Sequence, residues 1–251
     1  MTTQSRHDTG GPKAESGQQD WFALELEGVL ELLGSEHGGL TDEEAAGRLA
    51  QYGPNLLPRR RPPSLPEILL RQFRSPLIYL LGIAAAVSLV IGEVKDAAFI
   101  LGVLLINAII GTVQEARAER ASQALQQLLR IRTAVRRSQR VLDVDAESLV
   151  PGDVVYLESG NRVPADIRLI AAHGLEVDES LLTGESLPVA KNADWSGDPG
   201  TALADRLNML HAGAMVARGR CHGVVVATGA KSAIGRLTLD VLGAEGGRPP
   251  L

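Results

Sequence analysis

The N-terminal part of the chain begins with a polar stretch and then shows the apolar spacing of a short helix. Residues 1–19 are polar and glycine-rich, with no apolar core of a signal peptide, which predicts a disordered tail. Over residues 22–33, apolar side chains recur on one helical face. Asp20 precedes this stripe as a candidate N-cap, and Gly34 follows it as a candidate stop. We therefore predict a first helix between Asp20 and Gly34.

A second apolar stripe follows at once and carries its own boundary signals. Thr41 and Glu44 have the spacing of a capping box, and Gly53 followed by proline marks the end of the stripe. The run 54–66 is rich in proline and arginine, and proline removes backbone donors and restricts the residue before it. We predict a small helical region with a linker over residues 20–66.

Two uncharged apolar runs come next, at 77–92 and 97–113, joined by a short connection with two acids and one lysine. Each run is at or below the roughly 17–25 residues expected of a spanning helix. Arginines flank the runs on their outer sides: Arg59, Arg60, Arg61, Arg71 and Arg74 before the first, and Arg117, Arg120, Arg130 and Arg132 after the second. The positive-inside bias places both ends in the cytoplasm. We predict a transmembrane α-hairpin over residues 67–130, with a buried helical hairpin of a soluble protein as the alternative.

Beyond the second run the pattern changes twice. Charged residues enter the helical pattern over 114–129, which predicts that the second helix continues out of the bilayer as a cytosolic stalk. Short β-branched runs then alternate with glycine, proline, asparagine and aspartate. These runs are 133–135, 141–144, 154–157, 167–170 and 224–227. We predict strands there, within a compact and mostly antiparallel β domain over residues 131–240.

Composition narrows the classes of function. The formal net charge is −5 and the basic residues are scattered among acids, so the chain lacks the basic stripe of a nucleic-acid-binding protein. Cys221 is the single cysteine, which excludes an intramolecular disulfide and a Cys-x-x-Cys site. We interpret Cys221 as a small buried apolar residue. His211 and His222 form no metal-ligand spacing with it. We expect neither a nucleic-acid partner nor a metal site in this chain.

One candidate for chemistry is an acid on a glycine-bearing turn. The residues Thr183-Gly184-Glu185-Ser186 lie between two apolar stretches, so the turn would present the Glu185 carboxylate outward. A carboxylate displayed in this way can orient or deprotonate water for attack on an ester or phosphoryl centre, provided that a partner site supplies the electrophile. The alternative is a solvated turn without a chemical role.

Further motifs surround this turn in a fixed order along the chain. They are Gly39-Leu40-Thr41, Tyr52-Gly53-Pro54-Asn55, Asn107 with Gly111, Gln114 and Glu115, Pro151-Gly152-Asp153-Val154-Val155, Val163-Pro164-Ala165-Asp166 with Arg168-Leu169, Val177-Asp178-Glu179-Ser180, Leu182-Thr183-Gly184-Glu185-Ser186, Pro188-Val189 and Lys191. With these motifs the chain resembles the P-type ATPases, from about Asp20 onward. The motifs near the N-terminus resemble those of the cation pumps that carry an N-terminal domain.

The resemblance implies a fold and a function. The fold is that of an α+β membrane protein with N-terminal helices, a transmembrane α-hairpin and a mostly antiparallel β actuator domain with the topology of a distorted jelly roll. Glu185 is expected to position the water that hydrolyses an aspartyl-phosphate intermediate, while Thr183, Gly184 and Ser186 shape its loop. ATP and Mg²⁺ are expected for the complete pump, with no cofactor held by this chain. We expect a multi-pass protein of the cell membrane, in contact with the lipid bilayer, whose N-terminus and actuator domain are cytoplasmic.

The chain also departs from the family pattern. It has no Asp-Lys-Thr-Gly-Thr phosphorylation motif, nucleotide-binding domain or later membrane helices, and residues 241–251 match a truncated approach to a third membrane helix. We therefore expect it to be inactive alone and to need a missing C-terminal part, or a separate chain, with those domains. The alternatives are a non-catalytic membrane-anchored actuator module that regulates or complements another pump, and a remnant. The residues of this chain do not specify the transported cation.

Overall fold

The computed structural model describes residues 19–58, 64–72, 74, 76–128, 131–185 and 187–246. Residues 1–18 of the predicted tail, part of the predicted linker and the last residues of the segment 241–251 lie outside these ranges. The chain divides into two compact units. One unit combines Met1–Leu57 with Thr133–Leu251, and the other is Pro58–Arg132.

The described residues form the following helices and strands, in chain order. The helices are α1 (Leu26–Leu33), α2 (Asp42–Tyr52), α3 (Leu65–Gln72), α4 (Pro76–Ile91), α5 (Val94–Leu128), α6 (Ser180–Thr183) and α7 (Ala233–Gly246). The strands are β1 (Arg132–Arg137), β2 (Arg140–Asp145), β3 (Val154–Glu158), β4 (Asp166–Asp178), β5 (Val189–Ala190), β6 (Met209–Leu210) and β7 (Met215–Ala227).

The first helix begins later than the sequence predicts. Asp20 accepts a hydrogen bond from the Ala23 N–H over 2.9 Å within a turn, and α1 starts only at Leu26. The cause is a tertiary contact, because Phe22 is buried against the sheet and its carbonyl accepts a 2.8 Å hydrogen bond from the Asn208 side chain. The predicted Asp20 cap is therefore wrong. The predicted stop at Gly34 is confirmed, since this residue adopts a left-handed conformation with φ 53°.

The second helix has the boundaries that its sequence signals predict. The Thr41 hydroxyl accepts the Glu44 N–H over 3.2 Å, and the Glu44 carboxylate accepts the Thr41 N–H over 2.8 Å. This backbone hydrogen bond from Thr41 is the largest cause that lowers the pKa of Glu44. On its inner side, Ala45 packs with Val150, which places α2 against the β domain. The predicted capping box is confirmed.

The β domain is one seven-stranded sheet in the order β2-β1-β3-β7-β4-β5, with β6 also paired to β4. The strand pairs β1–β3, β3–β7, β4–β5, β4–β6 and β4–β7 are antiparallel, which confirms the predicted antiparallel character. Strands β4 and β7 have 13 residues each and form the centre of the sheet. The sequence predicts only their apolar segments 167–170 and 224–227. The distorted jelly-roll topology stays a prediction.

The sequence pattern underestimates the lengths of β4 and β7 because the pairing between these strands is irregular. The register between them shifts at several points, one of them between His173 and Glu176. Such β-bulges place polar residues and glycines inside a strand, where they interrupt the apolar alternation. His173 and Gly174, which follow the predicted strand 167–170, lie within β4 for this reason.

Cys221 lies in the apolar core of this sheet. The core is formed by side chains of the sheet strands and of the loops at its edges: Val135, Leu149, Val155, Leu157, Val163, Ala165, Ile167, Leu169, Leu175, Val177, Leu210, Ala214, Val216, Cys221 and Val225. Burial raises the pKa of the Cys221 thiol to about 12. Since the thiolate is the reactive form, Cys221 will react with a thiol reagent only when the sheet opens. As the single cysteine of the chain, it provides a direct readout of unfolding.

The segment between α1 and α2 contacts the hairpin between β1 and β2. The N–H groups of the hairpin residues Ser138 and Gln139 donate to the carbonyls on either side of Gly39, over 2.9 and 3.2 Å. Gly39 itself has φ 78°, and a Cβ atom there would lie 1.9 Å from the Arg136 carbonyl oxygen. Only glycine fits this position, for both its conformation and the space available.

We predict that Gly39→Ala lowers the free energy of unfolding by about 2–4 kcal/mol, because alanine is strained at positive φ and meets a backbone oxygen. The measurement is the denaturant dependence of Cys221 labelling in the full chain. Gly47→Ala is the matched control, since Gly47 lies inside α2 with nothing within 4 Å of its added Cβ. This control should raise stability by about 0.5–1 kcal/mol. Equal stability of Gly39→Ala and the wild type would contradict the packing described here.

The second unit consists of α3, α4 and α5. Both shorter helices pack against α5. The buried positions of the three helices are mostly small or aliphatic: Ile68, Ile78, Ala85, Ala97, Leu104 and Ala108. Many large apolar side chains point outward, among them Val90 at 88% and Phe99 at 74% exposure. An apolar exterior of this kind is typical of helices that face lipid.

One helix in the described part of the chain, Val94–Ala121 within α5, is long and apolar enough to cross a membrane by length and composition. The apolar part of α4, Ile78–Ile91, is shorter than that criterion. The predicted hairpin of two crossing helices therefore stays a prediction. α5 has 35 residues without a break, a length of about 52 Å at the ordinary helical rise, so the helix does continue beyond the apolar run 97–113. Its predicted place outside the bilayer as a cytosolic stalk stays a prediction.

Candidate functional site

The Thr183-Gly184-Glu185 segment lies in the loop between β4 and β5. The two strands pair through Glu176 with Ala190 and Val177 with Val189, directly below the loop. On its other side β4 pairs with β7, as far as Asp178 opposite Met215. The loop therefore extends from the edge of a sheet that is hydrogen-bonded up to the point where the loop begins.

The loop starts with a single helical turn, α6. The Asp178 carboxylate accepts the Ser180 N–H over 2.9 Å, which is the usual way for an aspartate to start a turn. This backbone hydrogen bond is the largest cause that lowers the pKa of Asp178. The Asp178 carboxylate therefore stays ionised at neutral pH and stabilises the start of the turn.

Gly184 ends the turn and redirects the chain. It has φ 75° and ψ 0°, a left-handed conformation that favours glycine, and its N–H donates to the Ser180 carbonyl over 2.9 Å. Thr183 fixes the next residue, because its hydroxyl donates to the Glu179 carbonyl over 3.1 Å and accepts the Glu185 N–H over 3.2 Å. The backbone of Glu185 is thus held by the turn that precedes it.

The Glu185 side chain projects from this fixed backbone into solvent. Glu185 is exposed, and no hydrogen bond or ion pair to its carboxylate is present among the described residues. Leu181 and Leu187 on the same loop are 67% and 79% exposed. The loop therefore presents a free carboxylate between two exposed apolar side chains, an arrangement that suits contact with another protein surface.

The sequence-predicted residues Thr183, Gly184 and Glu185 are brought together in this one turn. Ser186 lies outside the described residues. The assigned roles of these residues in catalysis stay a prediction, because the geometry alone gives their positions and not their chemistry.

The site offers an exposed carboxylate, that of Glu185. A cleft of about 460 Å³ lies elsewhere on the sheet, lined in part by Tyr156, His173 and His222. Among the described residues there is no group of three or more histidine, cysteine, aspartate or glutamate side chains that could hold a metal ion. A carboxylate in this position can act on an electrophile that another part of the protein, or another chain, brings to it.

A buried ion pair that sequence reasoning left without a role lies beneath the loop. Glu179 immediately precedes α6, Lys191 immediately follows β5, and the Lys191 ammonium donates to the Glu179 carboxylate over 2.8 Å. Both side chains have no exposed surface. Desolvation lowers the pKa of Lys191, and the neighbouring Glu179 carboxylate opposes that shift. Both residues belong to the recognised motifs, but only the fold shows that they meet.

Two protein-family models match the chain. Residues 21–88 match the N-terminus of the cation transporters and ATPases, and residues 127–242 match the actuator domain of the P-type ATPases. Together the two matches include α1 to α3, most of α4 and the sheet with its Glu185 loop, whereas most of α5 lies between the two matched ranges.

Curated proteins similar to this chain carry names that agree with these matches. A probable cation-transporting ATPase F of Mycobacterium tuberculosis is 44% identical over 89% of this chain and 24% of its own length. A calcium-transporting ATPase 1 of Bacillus cereus is 38% identical over 92% of this chain and 27% of its own length. A sodium/potassium exporting P-type ATPase of Schizosaccharomyces pombe is 38% identical over 82% and 20%, respectively. The chain spans about a quarter of the length of these relatives.

Proposed function

The chain belongs to the P-type cation-transporting ATPases, and from this we propose that it forms the N-terminal part of an ATP-driven cation pump whose Glu185 carboxylate promotes hydrolysis of an aspartyl-phosphate. One observation carries the proposal. Glu185 is exposed on a loop whose backbone is fixed, with no partner for its carboxylate in the described structure. Such a carboxylate is ready to act on a group supplied from outside this domain.

The chemistry assigned to Glu185 is that of a general base. An acyl phosphate is a covalent intermediate, and its hydrolysis requires a water oxygen to attack phosphorus while the aspartate carboxylate leaves. Glu185 would accept a hydrogen bond from that water, orient it and take up its proton as the new P–O bond forms. Thr183 and Gly184 hold the Glu185 backbone, so that the carboxylate enters the site in a defined position. In this proposal Ser186 completes the loop.

In this proposal the apolar helices α4 and α5 form the part of the chain that lies in the membrane. The span Val94–Ala121 would cross the bilayer, with α4 as the preceding arm of the hairpin, and the rest of α5 would continue as a stalk. The N-terminal helices and the sheet would then face the cytoplasm of a multi-pass cell-membrane protein. A helix that extends beyond the bilayer as a stalk can transmit movement of the actuator domain to the ion pathway.

The nucleotide and its Mg²⁺ do not fit the described residues of this chain. These residues contain no candidate metal cluster, and the Gly229-Ala230-Lys231 segment is a short 3₁₀ turn rather than a phosphate-binding loop. We therefore assign ATP and Mg²⁺ to the part of the complete pump that carries the phosphorylation and nucleotide-binding domains. No step proposed for this chain passes through either group.

The test is to assemble a complete pump. The full chain is joined to the segment of the M. tuberculosis relative that follows the matched region, and this protein is called the assembled pump below. We expect cation-stimulated ATP hydrolysis in membranes that contain the assembled pump and none with the full chain alone. A folded assembled pump that forms phosphoenzyme but never turns over would contradict the proposal and favour a regulatory module or a remnant.

A further inference from the structure

The buried pair beneath the Glu185 loop joins the two ends of that loop. Glu179 is the residue before α6, and Lys191 is the residue after β5. Besides its 2.8 Å contact with Glu179, the Lys191 ammonium donates to the Arg206 carbonyl over 3.3 Å. The Lys191 N–H donates to the Leu175 carbonyl over 2.9 Å. Lys191 is therefore fixed to three neighbouring segments and provides a rigid support for Glu179.

A short series of hydrogen bonds leads from this pair to Glu185. The Glu179 carbonyl accepts hydrogen bonds from the Thr183 N–H over 3.0 Å and the Thr183 hydroxyl over 3.1 Å. The same hydroxyl accepts the Glu185 N–H over 3.2 Å. Any movement of the Glu179 backbone therefore reaches Glu185 through one intervening residue, Thr183.

Stability is a weak explanation for two fully buried charges at this point. Taking an ammonium and a carboxylate out of water is costly, and apolar residues of similar size often serve the folded state as well or better. A buried ion pair has directional hydrogen bonds, however, which hold its two residues in one geometry. Only one Glu179 carboxylate oxygen has a hydrogen-bond partner in the described structure, the other being buried without one. The carboxylate thus depends on Lys191 for its orientation.

We propose that Glu179 and Lys191 form a positioning pair, which holds the Glu185 loop in the geometry needed for hydrolysis of the acyl phosphate. The pair contacts neither water nor phosphate itself and acts through Thr183. This inference rests on the proposed function, because it assigns the pair to the same loop and the same step. A displacement of about 1 Å of a catalytic group can reduce a rate by roughly 100-fold.

The first variant is Lys191→Met in the assembled pump. Methionine keeps an unbranched apolar stem but removes the ammonium that orients Glu179. We expect the first-order rate constant for decay of the phosphoenzyme to fall roughly 10- to 100-fold, with an unchanged rate of phosphoenzyme formation. A decay constant is measured only on molecules that became phosphorylated, so loss of folded protein does not lower it.

A second buried ion pair of the same sheet provides the matched control. Arg137 donates to both carboxylate oxygens of Asp153 over 2.8 and 2.7 Å, and the Asp153 side chain has no exposed surface. Among the described residues, this pair has no hydrogen bond to the Glu185 loop. Asp153→Asn should make Cys221 easier to label, because it weakens the domain, and should leave the decay constant at the wild-type value. Equal slowing in Asp153→Asn and Lys191→Met would overturn the positioning role.

A double variant distinguishes the effect of losing the positioning contact from the effect of leaving one buried charge without its partner. Glu179→Gln with Lys191→Met removes both charges and keeps the side-chain sizes close to the originals. Lys191→Met alone leaves the buried Glu179 charge unpaired and should make Cys221 easier to label. In the double variant we expect labelling to return toward the wild-type value while decay stays slow, since glutamine and methionine form no ion pair. Wild-type decay in this variant or in Lys191→Met would overturn the inference. If Glu185→Gln slows decay in the same assay, only the pair is refuted, whereas normal decay in Glu185→Gln refutes the proposed function itself.

Discussion

Replacing Glu185 by glutamine in the assembled pump is expected to slow decay of the phosphoenzyme by about 10²- to 10⁴-fold, the usual contribution of a general base. Glutamine has nearly the same size but cannot take up a proton. Because the Glu185 side chain has no partner among the described residues, the substitution removes no visible contact from the folded state. Formation of the phosphoenzyme needs no proton acceptor on this loop and should proceed at the wild-type rate. The measurement is phosphoenzyme remaining after labelled ATP is removed.

The control for Glu185→Gln is Glu31→Gln. Glu31 is an exposed carboxylate on α1, far along the chain from the loop. Glu31→Gln removes one negative charge, as Glu185→Gln does. The control therefore shows whether a change in net charge alone alters the decay of the phosphoenzyme. We expect decay in Glu31→Gln to equal that of the wild type. Decay in Glu185→Gln at the wild-type rate would remove Glu185 from the catalytic role.

Replacing Asp166 by alanine is expected to lower the free energy of unfolding of the sheet by about 3–5 kcal/mol. The Asp166 carboxylate is buried and accepts the Ala212 N–H over 2.9 Å and the Ala233 N–H over 2.7 Å. Alanine leaves both backbone donors buried without an acceptor, and each such group costs about 1–3 kcal/mol. The Ala233 N–H is the first of α7, so the same carboxylate also ties this helix to β4. Cys221 labelling against denaturant measures the loss.

Asp166→Asn is a milder substitution at the same position and is compared with Asp166→Ala. Its side-chain oxygen can accept one of the two N–H groups, while its amide faces the other, so we expect a smaller but clear loss of stability. Neither variant touches the Glu185 loop, and the decay constant of any phosphoenzyme that forms should be unchanged. An alanine variant as stable as the wild type would show that water replaces both hydrogen bonds, contrary to the burial seen here.

The location of the candidate site follows from local sequence, because its geometry is local. Asp178 starts the turn through the N–H two residues on, Gly184 supplies the left-handed conformation, and Thr183 binds the backbone of Glu185. Each of these contacts spans four residues or fewer. Motif spacing is therefore sufficient to predict an exposed acid on a glycine turn, as it was for the capping box of α2.

What the sequence could not provide are the partners of the buried charged residues. Asp153 meets Arg137, Glu179 meets Lys191, and Asp166 meets the N–H of Ala233. These partners come from other strands, loops or helices, and nothing in the local pattern identifies them. Asp153, Asp166 and Glu179 all lie in recognised motifs, and each forms a buried contact with a residue of another element. Their presence in a motif did not distinguish them from the exposed residues of the Glu185 loop.

Tertiary contacts also explain the errors at the element boundaries. The periodicity of 22–33 favours a helix from Asp20, yet burial of Phe22 and the hydrogen bond from Asn208 to its carbonyl hold that segment in a turn. In β4 and β7 the bulges allow polar residues and glycines inside long strands. Both effects depend on residues far away in the sequence, which single-sequence periodicity does not contain.

The most direct test of the proposed role of Glu185 in hydrolysis measures the acyl phosphate itself. The remaining segment of the M. tuberculosis relative is expressed in membranes without its own N-terminal quarter, phosphorylated from ATP and then freed of nucleotide. We predict that adding the full chain accelerates loss of the phosphate, and that a full chain with Glu185→Gln does not. Equal decay with and without the full chain, or equal acceleration by the Glu185→Gln chain, would contradict it.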